Sequence, residues 1–318
     1  IRRVQALSRI KKTMVMKGKA ASIFVALVLA IFCFSCKNKG KAIVYDSPTQ
    51  GTIHISVDES FKPVITEEIK VYQSSYPQAH IIAEYKSEAE CFKDLQSDSV
   101  RMIITAQGLT DEQGKDLTKA WGYRPNWDAI AYDAVTVIVN RNGKDSVFSI
   151  KKLQRLLTDS SQKKDVVVDG NHATSTVRYL IDTVLKGKPF GPNVKAANGS
   201  KAVIDYVSNN VDAIGFVGSS WVGNDEDPEQ VAEAKKIKMA LIECRTCGAG
   251  YFVRPSQETI ENGQYPMVRP LFYIIKENNT GLGTGFVNFL TLERGQLIFR
   301  RSYLVPGKMD FTIRGSDF

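Results

Sequence analysis

Hydroxyl side chains gather at one strand-to-helix junction of this chain. The segment Asn171-His172-Ala173-Thr174-Ser175-Thr176 leads into Val177, Leu180, Ile181, Val184 and Leu185, spaced i, i+3, i+4, i+7 and i+8 as on one face of an amphipathic helix. Lys186-Gly187-Lys188-Pro189 stops that helix, and the apolar run Val166-Val167-Val168 precedes the polar loop. Strand, loop and helix in that order bring free N–H groups and the positive end of a helix dipole to the strand's C-terminal edge. Three adjacent rotatable donors, Thr174, Ser175 and Thr176, then make an uncharged cradle for an oxyanion. Plain helix capping uses the same residue types, because Ser, Thr and Asn are the usual N-caps. A hydrolase would need a base beside its nucleophile. The nearest pair is Ser175 with His172, and no orienting acid accompanies it.

The same order of elements recurs along the chain. Thr52–Val57 reads as a strand, followed by Asp58-Glu59-Ser60-Phe61-Lys62-Pro63 and a helix with Phe61, Val64, Ile65, Ile69 and Tyr72 on one face. Pro63 is acceptable there only in the first turn. His80–Tyr85 is the second strand and Lys86-Ser87-Glu88 opens the next helix; Arg101–Thr105 is the third, followed by Ala106-Gln107 and a Thr110/Gln113 capping box. Three loops thus reach one sheet edge, as in a doubly wound α/β unit. The long apolar run Ile130–Asn140 reads as a strand passing between two domains, after which the pattern restarts. Helices are expected at 150–157, 174–185 and 199–207, with strands at 166–168 and 213–218. Lys238–Glu243 closes the second unit, and 251–253, 271–275, 285–290 and 293–300 return the chain to the first. The predicted domains are therefore a first lobe from 51–138 with 250–318 and a second from 139–249. Asn224–Glu229 reads as a solvated acidic loop.

The formal charge of +8 belongs to the N-terminus. Residues 1–35 carry seven basic side chains and no acid; removing those seven from the 42 basic residues leaves 35 against 34 acidic ones. A balanced body excludes nucleic acid as a partner. Lys17 and Lys19 precede the apolar run Ala20–Phe34, which ends at Ser35-Cys36 and turns polar, the form of a signal sequence over 1–35 and a tether over 36–50. Ser35-Cys36 resembles the lipobox of a bacterial lipoprotein, with Cys36 as the lipidated residue, although Cys33 and Phe34 depart from the common pattern. Cys244 and Cys247 form a CxxC that would be a small-loop disulfide or a redox pair. The strand-like Tyr251-Phe252-Val253 after it argues against a thiol oxidoreductase and for a structural or incidental pair. With three histidines and no second CxxC, no metal site is expected.

Over residues 50–314 the chain resembles the phosphate-binding lipoproteins of bacterial phosphate ABC importers, a type II periplasmic binding protein family. Ser60-Phe61 before Pro63 is similar to that family's first phosphate loop, Asp133-Ala134-Val135 to its first crossover, and Thr174-Ser175-Thr176 to its Ser-Gly-Thr helix start. Gly199-Ser200, Ile214–Gly218, Tyr265-Pro266, Arg269–Tyr273, Gly295-Gln296 and Leu304-Val305-Pro306 follow in family order. The resemblance implies two doubly wound α/β lobes joined by two crossover strands. It also implies a lipid-anchored monomer on the periplasmic side of a bacterial membrane, binding inorganic phosphate without turnover or cofactor and passing it to an ABC permease. Ligand donors carried over are Ser60, the backbone of Phe61, Ser87, Thr174, Ser175 and Thr176. Two departures stand out: the arginine usual before the helix start is replaced by Asp169-Gly170-Asn171-His172, and the charged third-loop residue by Ala106-Gln107. Asn171 and Gln107 are the nearest polar substitutes, and neither replaces a charge. A relaxed site for another oxyanion or a phosphorylated small molecule is the alternative reading, with a periplasmic hydrolase behind it.

Overall fold

A computed structural model describes residues 46–159, 164–170 and 174–309. The expected signal sequence, Cys36, Asn171 and His172 lie outside the described residues. In chain order the elements are β1 (Gln50–Asp58), α1 (Lys62–Ser75), β2 (Gln78–Lys86), α2 (Glu88–Asp94), β3 (Val100–Thr105), α3 (Asp111–Trp121) and the long β4 (Asn126–Asn140). There follow β5 (Val147–Phe148), α4 (Ile150–Thr158), β6 (Val166–Val168), α5 (Ser175–Tyr179), β7 (Val194–Ala196), α6 (Ser200–Asn209) and β8 (Ile214–Gly218). The chain ends with α7 (Pro228–Glu233), β9 (Ile237–Met239), β10 (Leu241–Glu243), β11 (Phe252–Val253), α8 (Gln257–Glu261), β12 (Val268–Ile275), α9 (Leu282–Thr291), α10 (Glu293–Arg301) and β13 (Val305–Pro306).

The main sheet runs β2-β1-β3-β12-β4-β8-β6-β7, with β9 and β13 added onto β4. β1, β2 and β3 are mutually parallel, as are β6, β7 and β8, each set with helices between its strands. That is the expected pair of doubly wound lobes, and the antiparallel strands β12 and β4 carry the chain between them. β4 is longer than the apolar run that revealed it, because its first residues pair with β12 while its last pair with β8 and β9. Two main cores flank this seam. Ile55, Val57, Phe61, Ile65 and Phe286 belong to one, and Val137, Leu153, Leu180 and Phe216 to the other. Ile260, Tyr265 and Met267, in the stretch that returns the chain, are buried in the second core.

Local differences from the sequence reading have simple causes. The helix expected over 174–185 is regular only to Tyr179, then widens into a π turn over Leu180–Val184, closed by Leu185 N donating to Leu180 O at 2.8 Å. The stretch 238–243 breaks into two strands because β9 pairs with β4 while β10 pairs with β5 and β11. The acidic loop contains a helix start, with the Asp227 carboxylate accepting from Glu229 N and Pro228 at the first position. Residues at the end of the expected tether are tied down: Asp46 Oδ2 accepts from Arg101 Nη1 at 2.7 Å and from Leu282 N at 2.8 Å. Cys244 and Cys247 are joined in a disulfide, so the CxxC closes a small loop.

Glu68 on α1 is fully buried with neither carboxyl oxygen hydrogen-bonded. Burial first, and Glu67 beside it second, push its carboxyl well above the usual range. An unpaired buried polar group costs on the order of 1–3 kcal/mol, so Glu68→Met is expected to stabilise the fold by about that much at pH 8. Urea denaturation midpoints would check it.

Candidate functional site

The C-terminal ends of β1 and β6 meet under the crossover strands. Asp58, the last residue of β1, turns the chain by accepting Ser60 N at 3.0 Å, capping a 3₁₀ turn over Glu59–Phe61. This aims the Ser60 hydroxyl at the second lobe. There Thr174 caps α5 by accepting Val177 N at 3.2 Å, which places Ser175 and Thr176 in the helix's first turn. Ser60 Oγ lies 3.3 Å from Ser175 Oγ, from Thr176 Oγ1 and from Asp169 Oδ2. All four residues are buried. Hydroxyl hydrogen bonds usually close to 2.7–2.8 Å. This ring is therefore loose, and its donors can be recruited by a better acceptor.

A guanidinium completes the cluster. Arg269 Nη1 donates to Ser175 Oγ at 2.8 Å and to Thr176 Oγ1 at 3.2 Å, while Nε donates to Asp133 Oδ2 at 2.9 Å. Arg269 and Asp133 are direct cross-strand partners on β12 and β4, so their side chains share one face of the sheet. Ser219 N and Oγ both donate to Asp133 Oδ1, at 2.9 and 2.7 Å, and the guanidinium carbon lies 4.9 Å from the Phe61 ring centroid. Arg269 is 2 % exposed and Asp133 0 %. Burial would pull the arginine's pKa down; Asp133 and then Asp58 more than offset it, and the net shift is upward. Gly218 is needed here, because a Cβ would stand 3.0 Å from Asp133 Oδ2 and 3.1 Å from both Arg269 Nη2 and Ser60 O.

The charges lacking in the loops before α5 and after β3 reach this cluster from other elements. The cation enters from β12 rather than from the loop before α5. Carboxylates come from Asp58 and Asp169 rather than from the loop after β3. Burial first, and Glu88 second, push the Asp58 carboxyl up to about 7, against the opposing pull of Arg269. Asp169 accepts from Thr174 Oγ1 at 2.8 Å and, through Oδ2, from Ser60 Oγ and Ser200 Oγ at 3.3 and 3.4 Å. Two buried atoms keep unused capacity: Asp58 Oδ2, an acceptor, and Arg269 Nη2, which lies 2.8 Å from Asp133 Oδ2 without hydrogen-bond alignment.

Of the other expected donors, Phe61 is buried beneath Arg269, and Thr174 is engaged with Asp169 and its helix. Ser87 serves its own helix: its hydroxyl donates to Glu90 Oε2 at 2.6 Å and its N–H to the same oxygen at 3.1 Å, a capping box. Gln107 acts through its carbonyl, which accepts from Thr105 Oγ1 at 2.9 Å, and its side chain makes no hydrogen bond to the hydroxyl cluster. Ser87, Thr174 and Asp169 line a cleft of about 800 Å³ that adjoins the cluster, together with Glu59, Lys86 and Gly199.

Comparison with known proteins agrees with the two-lobed fold. The profile of the PBP superfamily domain matches residues 45–294. The phosphate-binding protein PstS of Pseudomonas aeruginosa is 23% identical over 285 residues, covering 82% of this chain and 84% of that protein. A Clostridium perfringens substrate-binding protein assigned to a phosphate ABC transporter, solved with bound phosphate, superposes with a TM-score of 0.67 at 19% identity, over 81% of this chain and 100% of that one. An ABC-type phosphate transport receptor from Vibrio cholerae does so with a TM-score of 0.58 at 16% identity, over 80% and 100% of the two chains. The family match spans well over half of the sequence, and the protein belongs to the PBP superfamily, as a solute-binding protein of the two-lobed type II kind.

Proposed function

We propose that this chain is an exported, lipid-anchored receptor that closes two lobes around inorganic phosphate and hands it to an ABC permease. Leader residues 1–35 and Cys36 supply the address and the anchor, and the named phosphate specificity of its relatives supports the ligand. The observation that carries the reading is the juxtaposition of a buried guanidinium, the loosely bonded hydroxyls of Ser60, Ser175 and Thr176, and the free acceptor Asp58 Oδ2. A singly protonated phosphate accepts from the first set and donates its proton to the second. Above about pH 7, where the Asp58 carboxyl is ionised, sulfate has no proton to offer and meets a carboxylate instead. The Ser175 hydroxyl donates to Ser60 and accepts from the Arg269 guanidinium, and an oxygen that accepts from a cation is a poor nucleophile, which favours binding without turnover.

Calorimetric titration of the ligand-stripped protein with phosphate and then sulfate at pH 8, above the Asp58 carboxyl, tests this reading. Phosphate is expected to bind at least about tenfold more tightly than sulfate, and Thr176→Val to weaken phosphate roughly ten- to a hundredfold, the range for a hydrogen bond to a charged group. Equal affinity for both anions, or an unaffected Thr176→Val, removes the proposed site. The adjoining cleft, within the size range of small-molecule pockets, favours a second reading: a phosphorylated small molecule whose organic part fills it. Binding of phosphate esters in preference to phosphate in the same titration would select that reading.

A further inference from the structure

Glu59 leaves the first lobe and ends on a helix of the second. Its Oε1 and Oε2 each accept Ser200 N at 3.2 Å, and Oε2 also accepts Ser200 Oγ at 3.0 Å. Ser200 is the first residue of α6, a helix of 10 residues whose N-cap, Gly199, offers no side chain of its own. Such an end carries free N–H groups and partial positive charge, and it stabilises an anion placed there. The fit is close: a Cβ on Gly199, whose φ is +85°, would stand 2.9 Å from Glu59 Oε1. The first lobe thus provides the missing cap of a second-lobe helix, and the two lobes share a charge-assisted contact just beside the ligand cluster.

We infer that Glu59 is a positioning residue for ligand capture: its carboxylate, seated on the N-terminus of α6, latches the lobes shut and sets how slowly a bound anion escapes. The latch is built to break. Ser200 has one hydroxyl proton and stands between two carboxylates, Glu59 at 3.0 Å and Asp169 at 3.4 Å, so it satisfies one of them at a time. Glu59 feels that conflict: burial and then Asp169 push its carboxyl up, opposed by Ser200 and Lys62. Elsewhere the lobes meet through Trp221 Nε1 donating to Ser60 O at 3.0 Å and through the Arg178–Glu88 ion pair, which report on closure without touching Glu59.

The role rests on the solute-receptor reading for its consequence and on the geometry alone for its mechanism, so the test has two arms. In the first, hydrogen exchange is followed in the full chain in mild detergent without added phosphate. Glu59→Ala is expected to speed exchange at Ser200 and Lys201 and also in 174–178 and 219–222, where the second lobe touches the first. Acceleration confined to Ser200 and Lys201 would reduce Glu59 to a local cap and overturn the latch. In the second, the phosphate off-rate is expected to rise roughly tenfold or more in Glu59→Ala with little change in on-rate. Glu59→Gln, which keeps an acceptor oxygen, should recover part of it, and Ser200→Ala should add less in the Glu59→Ala background than alone. An unchanged off-rate also overturns the latch. If the wild-type chain does not bind phosphate, the ligand assignment fails and the exchange arm alone decides the latch.

Discussion

Arg269→Met is expected to lower the unfolding free energy by about 3–5 kcal/mol and to abolish phosphate binding, the largest effect of any single substitution at the site. Its partner Asp133 is 0 % exposed, so removing the guanidinium leaves a buried charge with Ser219 as its remaining hydrogen-bond donor. The companion variant Asp133→Asn keeps an acceptor for Ser219 N while removing the charge. Combined with Arg269→Met it is expected to restore most of the lost stability and none of the binding. Arg269→Lys separates the two roles further. One ammonium cannot span Asp133 and both hydroxyls as the planar fork does, so affinity should fall at least about tenfold with a smaller loss of stability. Urea denaturation and phosphate titration of the set supply the measurements, and a loss under about 1 kcal/mol for Arg269→Met contradicts the buried-pair account.

Asp58→Asn is expected to stabilise the protein at alkaline pH and to do nothing in acid. The folded-state carboxyl sits near 7 against an ordinary 3.8, so the folded protein binds a proton more readily than the unfolded chain. Its contribution to stability is fully present below about pH 4 and is lost as pH rises through 7. A shift of that size corresponds to about 4 kcal/mol once both states are ionised. Asparagine mimics the protonated acid and can still accept Ser60 N. The gap between variant and wild type should therefore open between about pH 4 and 7 and stay constant above. The groups facing Asp58 are Glu88, Arg269, Ser175, Ser60 and the buried Cys91 thiol, and none is replaced by the substitution. A gap independent of pH would mean that Asp58 is ionised throughout. The same variant should narrow the preference for phosphate over sulfate, because its amide no longer distinguishes a protonated ligand.

The hydroxyl half of the site is legible in the sequence and the charged half is not. Ser60, Ser175 and Thr176 announce themselves locally, since each sits where a strand ends and a helix turn begins. Arg269 and Asp133 are 136 positions apart and become neighbours only through strand register. A signal for them existed: Arg269 is the one charge in its strand and Asp133 the one charge in the apolar run 130–140, and such residues are rarely buried unless paired. Opposite signs on the two crossover strands point to each other. Ser87 is the reverse case, because Glu90 three residues later already marks its hydroxyl as a cap. Glu59 gave no local signal at all, as its helix partner lies 141 residues away.

The position of β12 in the sheet also sets an order in time. β3 and β4 are both laid down early, yet the strand that joins them spans 268–275, close to the end of the chain. During synthesis β3 keeps an open edge, available to pair wrongly, until more than half of the sequence has followed. Closing so distant a contact is slow, because the entropy of the intervening loop must be overcome before the pairing returns anything. The Asp133–Arg269 pair is made in that same event. Assembly of the first lobe and completion of the proposed anion site are therefore one step, and a chain cut short before residue 268 would have neither.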